Sequence, residues 1–232
     1  MLRVDWLLVA GGWLLVAGCW GLGIGDWGLD GGPLKNLRKI APERERGRDR
    51  RVGVGPHAQI KERKGYMAIA DMLLPEFDRE MSTTRRVLER VPEDKFAWKP
   101  HAKSFSMGEL ASHVANLVSW ADVTMNATEF DMASVPREQM SPQAKSHADL
   151  LSSFDANVAK ARKALSKPDG NYFVPWSLKQ GGKTFFTMPR VACVRSFCLN
   201  HVIHHRAQLG VYLRLNDVPV PGMYGPSADE PM

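Results

Sequence analysis

Apolar side chains recur at spacings of three and four early in the second part of the chain, where Leu73, Leu74, Phe77, Met81, Thr84, Leu88 and Val91 fall on one stripe. That period matches the helical turn and predicts an amphipathic helix over 69–91, with Pro75 tolerated in its first turns. Pro92 and Pro100 turn the chain into a loop. Ser106 followed by Glu109 has the form of a capping box, in which hydroxyl and carboxylate satisfy orphan amides, so a second helix is expected over 107–126. A polar connector with two prolines occupies 131–143. Ser146 and Asp149 then open a third helix reaching Ser166, with Leu150, Leu151, Phe154, Val158, Ala161 and Leu165 on its inner face. Over 172–188 the pattern changes to aromatic and β-branched runs flanking Gln180-Gly181-Gly182, a hairpin signal because paired glycines accept positive φ. Pro189 suits a first helical turn and no breaker intervenes before Asn216-Asp217, which predicts a long last helix over 189–215. Residues 67–232 therefore read as one all-α domain, a bundle of four helices with a small β-hairpin between helices 3 and 4.

Residues 1–66 have no such period. Trp6, Trp13, Trp20 and Trp27 recur every seven residues in a decaying repeat, but its glycines cost about 1 kcal/mol each in a helix, which excludes a coiled coil. The apolar stretch 7–19 is too short and glycine-rich to span a bilayer, and 35–66 is Arg-, Gly- and Pro-rich, a disordered composition. Codons for Lys61, Glu62, Arg63, Lys64 and Gly65 can form an almost unbroken purine run, as at a bacterial ribosome-binding site, so Met67 is read as the start of a cytoplasmic protein. The alternatives are a lipoprotein anchored through Cys19, since Val16-Ala17-Gly18-Cys19 resembles that cleavage site, and a genuine disordered extension.

Charge changes the picture less than its total suggests. Of 31 Lys plus Arg and 25 Asp plus Glu, 12 and 7 precede residue 67, leaving the domain at a net +1. A nearly neutral domain lacks the basic surface that phosphate-backbone binding requires, so nucleic acid is not an expected partner. Three cysteines make no disulfide framework. Cys193 and Cys198 read as reduced, half-buried thiols on different helical faces.

The chemistry lies in the histidines. His57, His101 and His147 look incidental, whereas His113 falls on the second helix and His201, His204 and His205 on the last. Residues four apart on a helix diverge by about 40° over about 6 Å of rise, so His201 and His205 can share one ion. His204 is turned about 100° from His205 and could pair with His201 instead, so one of the two neighbours is a ligand. A third imidazole must come from elsewhere, and His113 sits among apolar neighbours where an unpartnered ring is costly. Three neutral imidazoles suit Zn, Ni or Fe(II) and leave a coordination position open.

The domain resembles the DinB/YfiT-like family of metal-dependent four-helix-bundle proteins. The likeness rests on LLPEFDREM at 73–81, ELASHVANL at 109–117, GGKTFFTMPR at 181–190 and NHVIHHRAQLGVYLRLNDVPVPGMYGPSADE at 200–230. It implies a DinB-like bundle in up-down-down-up order, His113, His201 and His205 as metal ligands, and Arg206 and Gln208 completing an HxxxHRxQ-like pattern. Ala207 stands where many relatives have Gly. The resemblance further implies frequent homodimers, a link to stress response through the family name, and relatives that transfer or isomerise with low-molecular-weight thiols.

On the enzyme hypothesis, the open metal position lowers the pKa of a thiol or water that attacks a small electrophilic substrate, as an S-transferase or hydrolase. Asn116 and Arg206 are the catalytic candidates: Asn116 to orient a ligand, Arg206 to hold a substrate carboxylate or to serve as a surface ion-pair partner. Tyr224 and Trp120 are candidates to line the pocket, or else packing residues. The competing readings are a non-catalytic metal-binding stress protein and a structural bundle whose histidines bind nothing.

Overall fold

The computed structural model describes residues 66–231. The tryptophan repeat, the motif at Cys19 and the Arg- and Gly-rich stretch fall outside the described residues. Within them the protein is mostly helical, with one small three-stranded sheet.

Helix α1 (Ile69–Leu88) buries Leu73, Phe77, Met81, Thr84 and Leu88 along the expected stripe. It ends three residues before the expected boundary, although Val91 beyond it is still fully enclosed. Ala68 at its N-cap offers no side-chain acceptor. The missing acceptor comes from far along the chain: Asp169 Oδ1 accepts the Ile69 amide at 2.8 Å.

The capping box at Ser106 forms in both directions, Ser106 Oγ accepting the Glu109 amide at 3.1 Å and Glu109 Oε2 accepting the Ser106 amide at 2.6 Å. The expected helix over 107–126 is divided at Val118 into α2 (Met107–Leu117) and α3 (Ser119–Asn126). The Ser119 hydroxyl donates to the Asn116 carbonyl at 2.7 Å and so competes with the backbone ladder there. Val118 keeps helical angles, so the chain passes directly from one helix into the next.

Just ahead of the polar connector, and running into its first residue, lies a strand that the pattern did not signal. Strand β1 (Glu129–Asp131) pairs in parallel with β2 (Pro175–Gln180), which pairs antiparallel with β3 (Lys183–Pro189). The turn between β2 and β3 needs left-handed backbone at both central residues, and Gly181 (φ 58°) and Gly182 (φ 79°) supply it. Asp131 accepts both glycine amides at 2.8 Å, tying the first strand to the tip of the hairpin. A bulge between Leu178 and Lys179 leaves Phe185 out of register and on the exposed edge. The connector also contains a short helix, α4 (Arg137–Met140).

Helix α5 (His147–Leu165) starts on Ser146, whose hydroxyl accepts the Asp149 amide at 3.1 Å, and buries Leu150, Phe154, Ala161, Ala164 and Leu165. The last helical stretch is continuous but not uniform: α6 (Arg190–Cys193) widens into a π-helical segment, Val194–Asn200, before α7 (His201–Arg214). Pro189 caps this stretch from outside its first turn. Helix α1 packs on α5 and α7, α2 on the same two helices, and α3 on α5 and the π-helical segment. A second, smaller cluster of Trp176, Leu178 and Cys193 lies beneath the sheet. Among the described residues no helix is long and apolar enough to cross a membrane.

Because α1 takes its N-terminal cap from Asp169, Asp169→Ala should lower stability by about 1 kcal/mol in urea unfolding while leaving the helical circular dichroism unchanged.

Candidate metal centre

Helix α2 turns His113 toward the start of α7, from which His201 and His205 project on successive turns. Ring centroids lie 5.3 Å apart for His113 and His201, 4.6 Å for His113 and His205, and 4.7 Å for His201 and His205. One nitrogen from each ring falls within 4.8 Å of the others. Rings bound to one zinc ion at about 2.0–2.1 Å would bring those nitrogens to about 3.3 Å, so the rings would have to draw closer to share an ion. His201 and His205 are buried and His113 half-buried.

This burial sets the protonation state. Desolvation, with repulsion from His205, pushes the His113 pKa down to about 3. Desolvation and the neighbouring imidazoles lower His201 to about 3, against an opposing hydrogen bond to the Phe197 backbone. Desolvation takes His205 to about 4, partly offset by its bond to Gln208. All three rings are neutral at pH 7, the form in which imidazole offers a lone pair.

The second ring nitrogen of His205 is also accounted for. Its Nδ1 lies 2.7 Å from Gln208 Oε1, an atom that only accepts, so the proton is on Nδ1. Nε2 is left buried with no hydrogen-bond partner. An imidazole fixed in this tautomer by an outer amide, with a bare buried nitrogen facing two neutral imidazoles, fits a cation held by an all-nitrogen donor set.

The other candidates are placed differently. His204 is exposed and outside the triad, with its ring 4.8 Å from that of His205. The Asn116 amide donates to the Pro142 carbonyl at 2.8 Å, an interaction that fastens the connector to α2. Trp120 belongs to an aromatic cluster with Phe130, Trp176 and Phe197. Arg206 is neither a surface residue nor a free anion holder. It is 1% exposed, with Nη1 donating to the Glu80 carbonyl and to Thr84 Oγ1 at 3.0 Å and Nη2 lying 2.7 Å from Glu80 Oε2. Nη2 also donates to the Tyr224 hydroxyl at 2.8 Å, which in turn donates to Glu80 Oε2 at 2.9 Å. Adjacent positions on a helix diverge by about 100°, so His205 faces α2 while Arg206 faces α1. The sequence reading placed Thr84 on the buried stripe but gave no role to Glu80, although a charge at 80 beside Phe77 and Thr84 on that helix marks a buried ion needing a partner.

Tyr224 thus ties the C-terminal segment to this buried pair, and the residue is 62% exposed between two shallow clefts of about 350 and 420 Å³. Arg79 lines both clefts, and no triad histidine lines either. Among the described residues the two cysteines are fully buried: Cys193 lies beneath the sheet and Cys198 in the main core. They are more enclosed than the sequence reading supposed, and desolvation pushes their thiols up to about 11 and about 12.

Residues 67–231 match the family model described as the DinB family, and the chain belongs to that family. Its fold is similar to a DinB-like protein from Bacillus cereus, with a TM-score of 0.53 and 18% identity over 68% of this chain and 99% of that one. It is likewise similar to a DinB-like protein from Bacillus subtilis, with a TM-score of 0.51 and 16% identity over 69% of this chain and 99% of that one. At these identities the likeness concerns the fold. No curated protein matches the chain.

Two predictions arise from the buried groups. An unfolded imidazole takes up its proton near its ordinary pKa of 6.5, whereas the folded triad refuses one until about 3–4. Stability of metal-free protein is therefore level above pH 6.5 and falls as the pH drops below it, by roughly 1.4 kcal/mol per pH unit for each imidazole. Urea midpoints between pH 8 and 4.5 measure this, and His113→Ala should reduce the slope. On the opposite side of α7, Glu80→Ala should cost about 3–5 kcal/mol by stranding a buried guanidinium, whereas Glu80→Leu with Arg206→Met should restore most of the loss.

Proposed function

We propose that this is a divalent-metal-dependent member of the DinB family, in which His113, His201 and His205 hold one ion, with Zn, Ni or Fe(II) as the fitting metals. The observation that carries this reading is the convergence of three neutral imidazoles from two helices, one of them with a bare buried Nε2. We read the four longer helical stretches as the family's up-down-down-up bundle and the working unit as a homodimer.

For the reaction we propose thiol-dependent transfer to a small electrophile. Neutral ligands leave the full double charge of a bound divalent cation to act as a Lewis acid on a thiol or water beside it. The chain's own described thiols are sealed and too weakly acidic to serve as nucleophiles, so the thiol would be a separate low-molecular-weight molecule. Helices α2 and α7 position the rings, and Gln208 holds the His205 proton away from the site. With Arg206 engaged by Glu80, a substrate carboxylate would need another cation.

A second reading is a metal-binding stress protein without turnover, which needs no concave opening over the triad. Metal analysis together with an assay of thiol loss against chlorodinitrobenzene or maleylpyruvate separates the readings. The expected outcome is one ion per chain, lost in His113→Ala and in His201→Ala, with metal-dependent thiol consumption. Bound metal without thiol consumption would move the assignment to hydrolysis or storage. Wild-type protein that binds no ion, and behaves like both variants, would remove the metal reading.

A further inference from the structure

We propose that Phe105 is a specificity-determining residue beside the triad, an aromatic face that seats a planar ring of the electrophilic substrate next to His113. The inference deepens the reading of the triad as a metal-dependent thiol-transfer site and rests on it. Solvent reaches the three histidines unequally: His201 is 5% and His205 8% exposed, whereas His113 is only half-buried. Against that most open member lies the ring of Phe105, with centroids 5.6 Å apart and planes tilted by 39°. Phe105 itself is 41% exposed. A molecule that approaches over His113 therefore meets an apolar aromatic surface beside the histidines.

Phe105 is held from both helices that carry the triad. It precedes Ser106, the N-cap of α2, and its carbonyl accepts from the Tyr212 hydroxyl at 3.3 Å. Tyr212 follows His205 on α7 by two turns, about 20° away in direction, so this anchor stands on the face that carries His201 and His205. Trp98 closes the loop edge-on against Tyr212, with ring centroids 5.5 Å apart. The backbone is pinned as well, the Met107 amide donating to the Trp98 carbonyl at 2.8 Å and the Gly108 amide to the Phe96 carbonyl at 2.9 Å. A Cβ at 108 would sit 3.0 Å from Phe96 Cβ, so glycine permits that approach. Fixing the loop in advance lowers the ordering cost of binding. An apolar residue before an N-cap commonly packs on the fourth helical residue, here Leu110, and an aliphatic side chain serves that purpose equally well. An aromatic face against the most open ring of the triad is a narrower provision, and it suits a flat π-system that stacks on it or meets it edge-on.

The test uses the full chain, with and without Zn²⁺, and 1,3-dinitrobenzene as an aromatic probe that has no leaving group. Titration followed by NMR should show saturable binding that moves the ring signals of Phe105 and His113. Phe105→Leu retains the apolar packing and should weaken the probe about 3- to 10-fold, while Phe105→Trp should hold it within twofold. Zn²⁺ affinity, measured by chelator competition, should stay within twofold in both variants. In the loaded protein with free cysteine as the thiol, the preference in kcat/KM for chlorodinitrobenzene over chloroacetamide, which has no ring, should fall in Phe105→Leu by the same factor. In both reactions sulfur bonds to carbon, chloride leaves with the electron pair of the C–Cl bond, and the thiol proton passes to solvent. Absence of saturable binding, binding that leaves the His113 signals unmoved, or equal affinity in Phe105→Leu would overturn the proposal, as would an unchanged preference. Loss of Zn²⁺ affinity in Phe105→Leu would overturn it too, by assigning the ring to the support of the triad. If the wild type consumes no thiol with either electrophile, the reaction reading fails by itself, and the dinitrobenzene titration still decides the role of Phe105.

Discussion

Burying three basic rings without their protons is the constraint around which the rest of the domain is organised. Each imidazole enters the contact between α2 and α7 only as a neutral group, and mutual repulsion adds to desolvation in keeping the rings so. Such a cluster costs stability unless binding at the site or the surrounding packing compensates. The surroundings are correspondingly firm. A capping box fixes the start of α2, Ser112 accepts the Ala144 amide and Asn116 donates to Pro142, so the connector is held against the helix that carries His113.

The same helix that presents the rings carries the opposite solution on its other side. Arg206 is enclosed as a full charge, and every contact made by its Nη atoms is to an acceptor on α1 or to Tyr224. Two ways of enclosing ionisable groups thus stand back to back across α7, one by discarding charge and one by pairing it. Tyr224 extends the paired side into the C-terminal segment, where Arg86 and Arg90 reach Glu230 and Arg214 reaches Asp229. The stretch from 216 onward is a brace for α1 and α7, which accounts for a polar tail packing closely on a helical domain.

Much of this was legible in the sequence because local signals and the tertiary structure agree. The stripe of α1, the box at Ser106, the Ser146 cap and the Gly181-Gly182 turn each depend on residues a few positions apart, and each forms where the pattern placed it. The histidine triad was legible for the same reason in part: the 201–205 pair is a local spacing, while His113 was reached through its apolar setting and the family resemblance. What escaped depends on distant partners. Strand β1 has three residues and no pattern of its own, and it exists because Asp131 can grip the turn of a hairpin about 50 residues later. The π-helical segment escaped because an extra residue per turn leaves composition unchanged while shifting the phase of every later side chain. Arg206 does pair with a carboxylate, as one reading held, but it was placed at the surface because its partner, Glu80, lies on a different helix.

The enclosed thiols have a practical consequence. With Cys193 and Cys198 shut in and held far from their ionised form, an alkylating reagent meets them only after the fold has opened. Cys193 sits under the sheet and Cys198 among the helices, so the two report on separate openings, and the order in which they become labelled is an internal clock for which part of the domain breathes first.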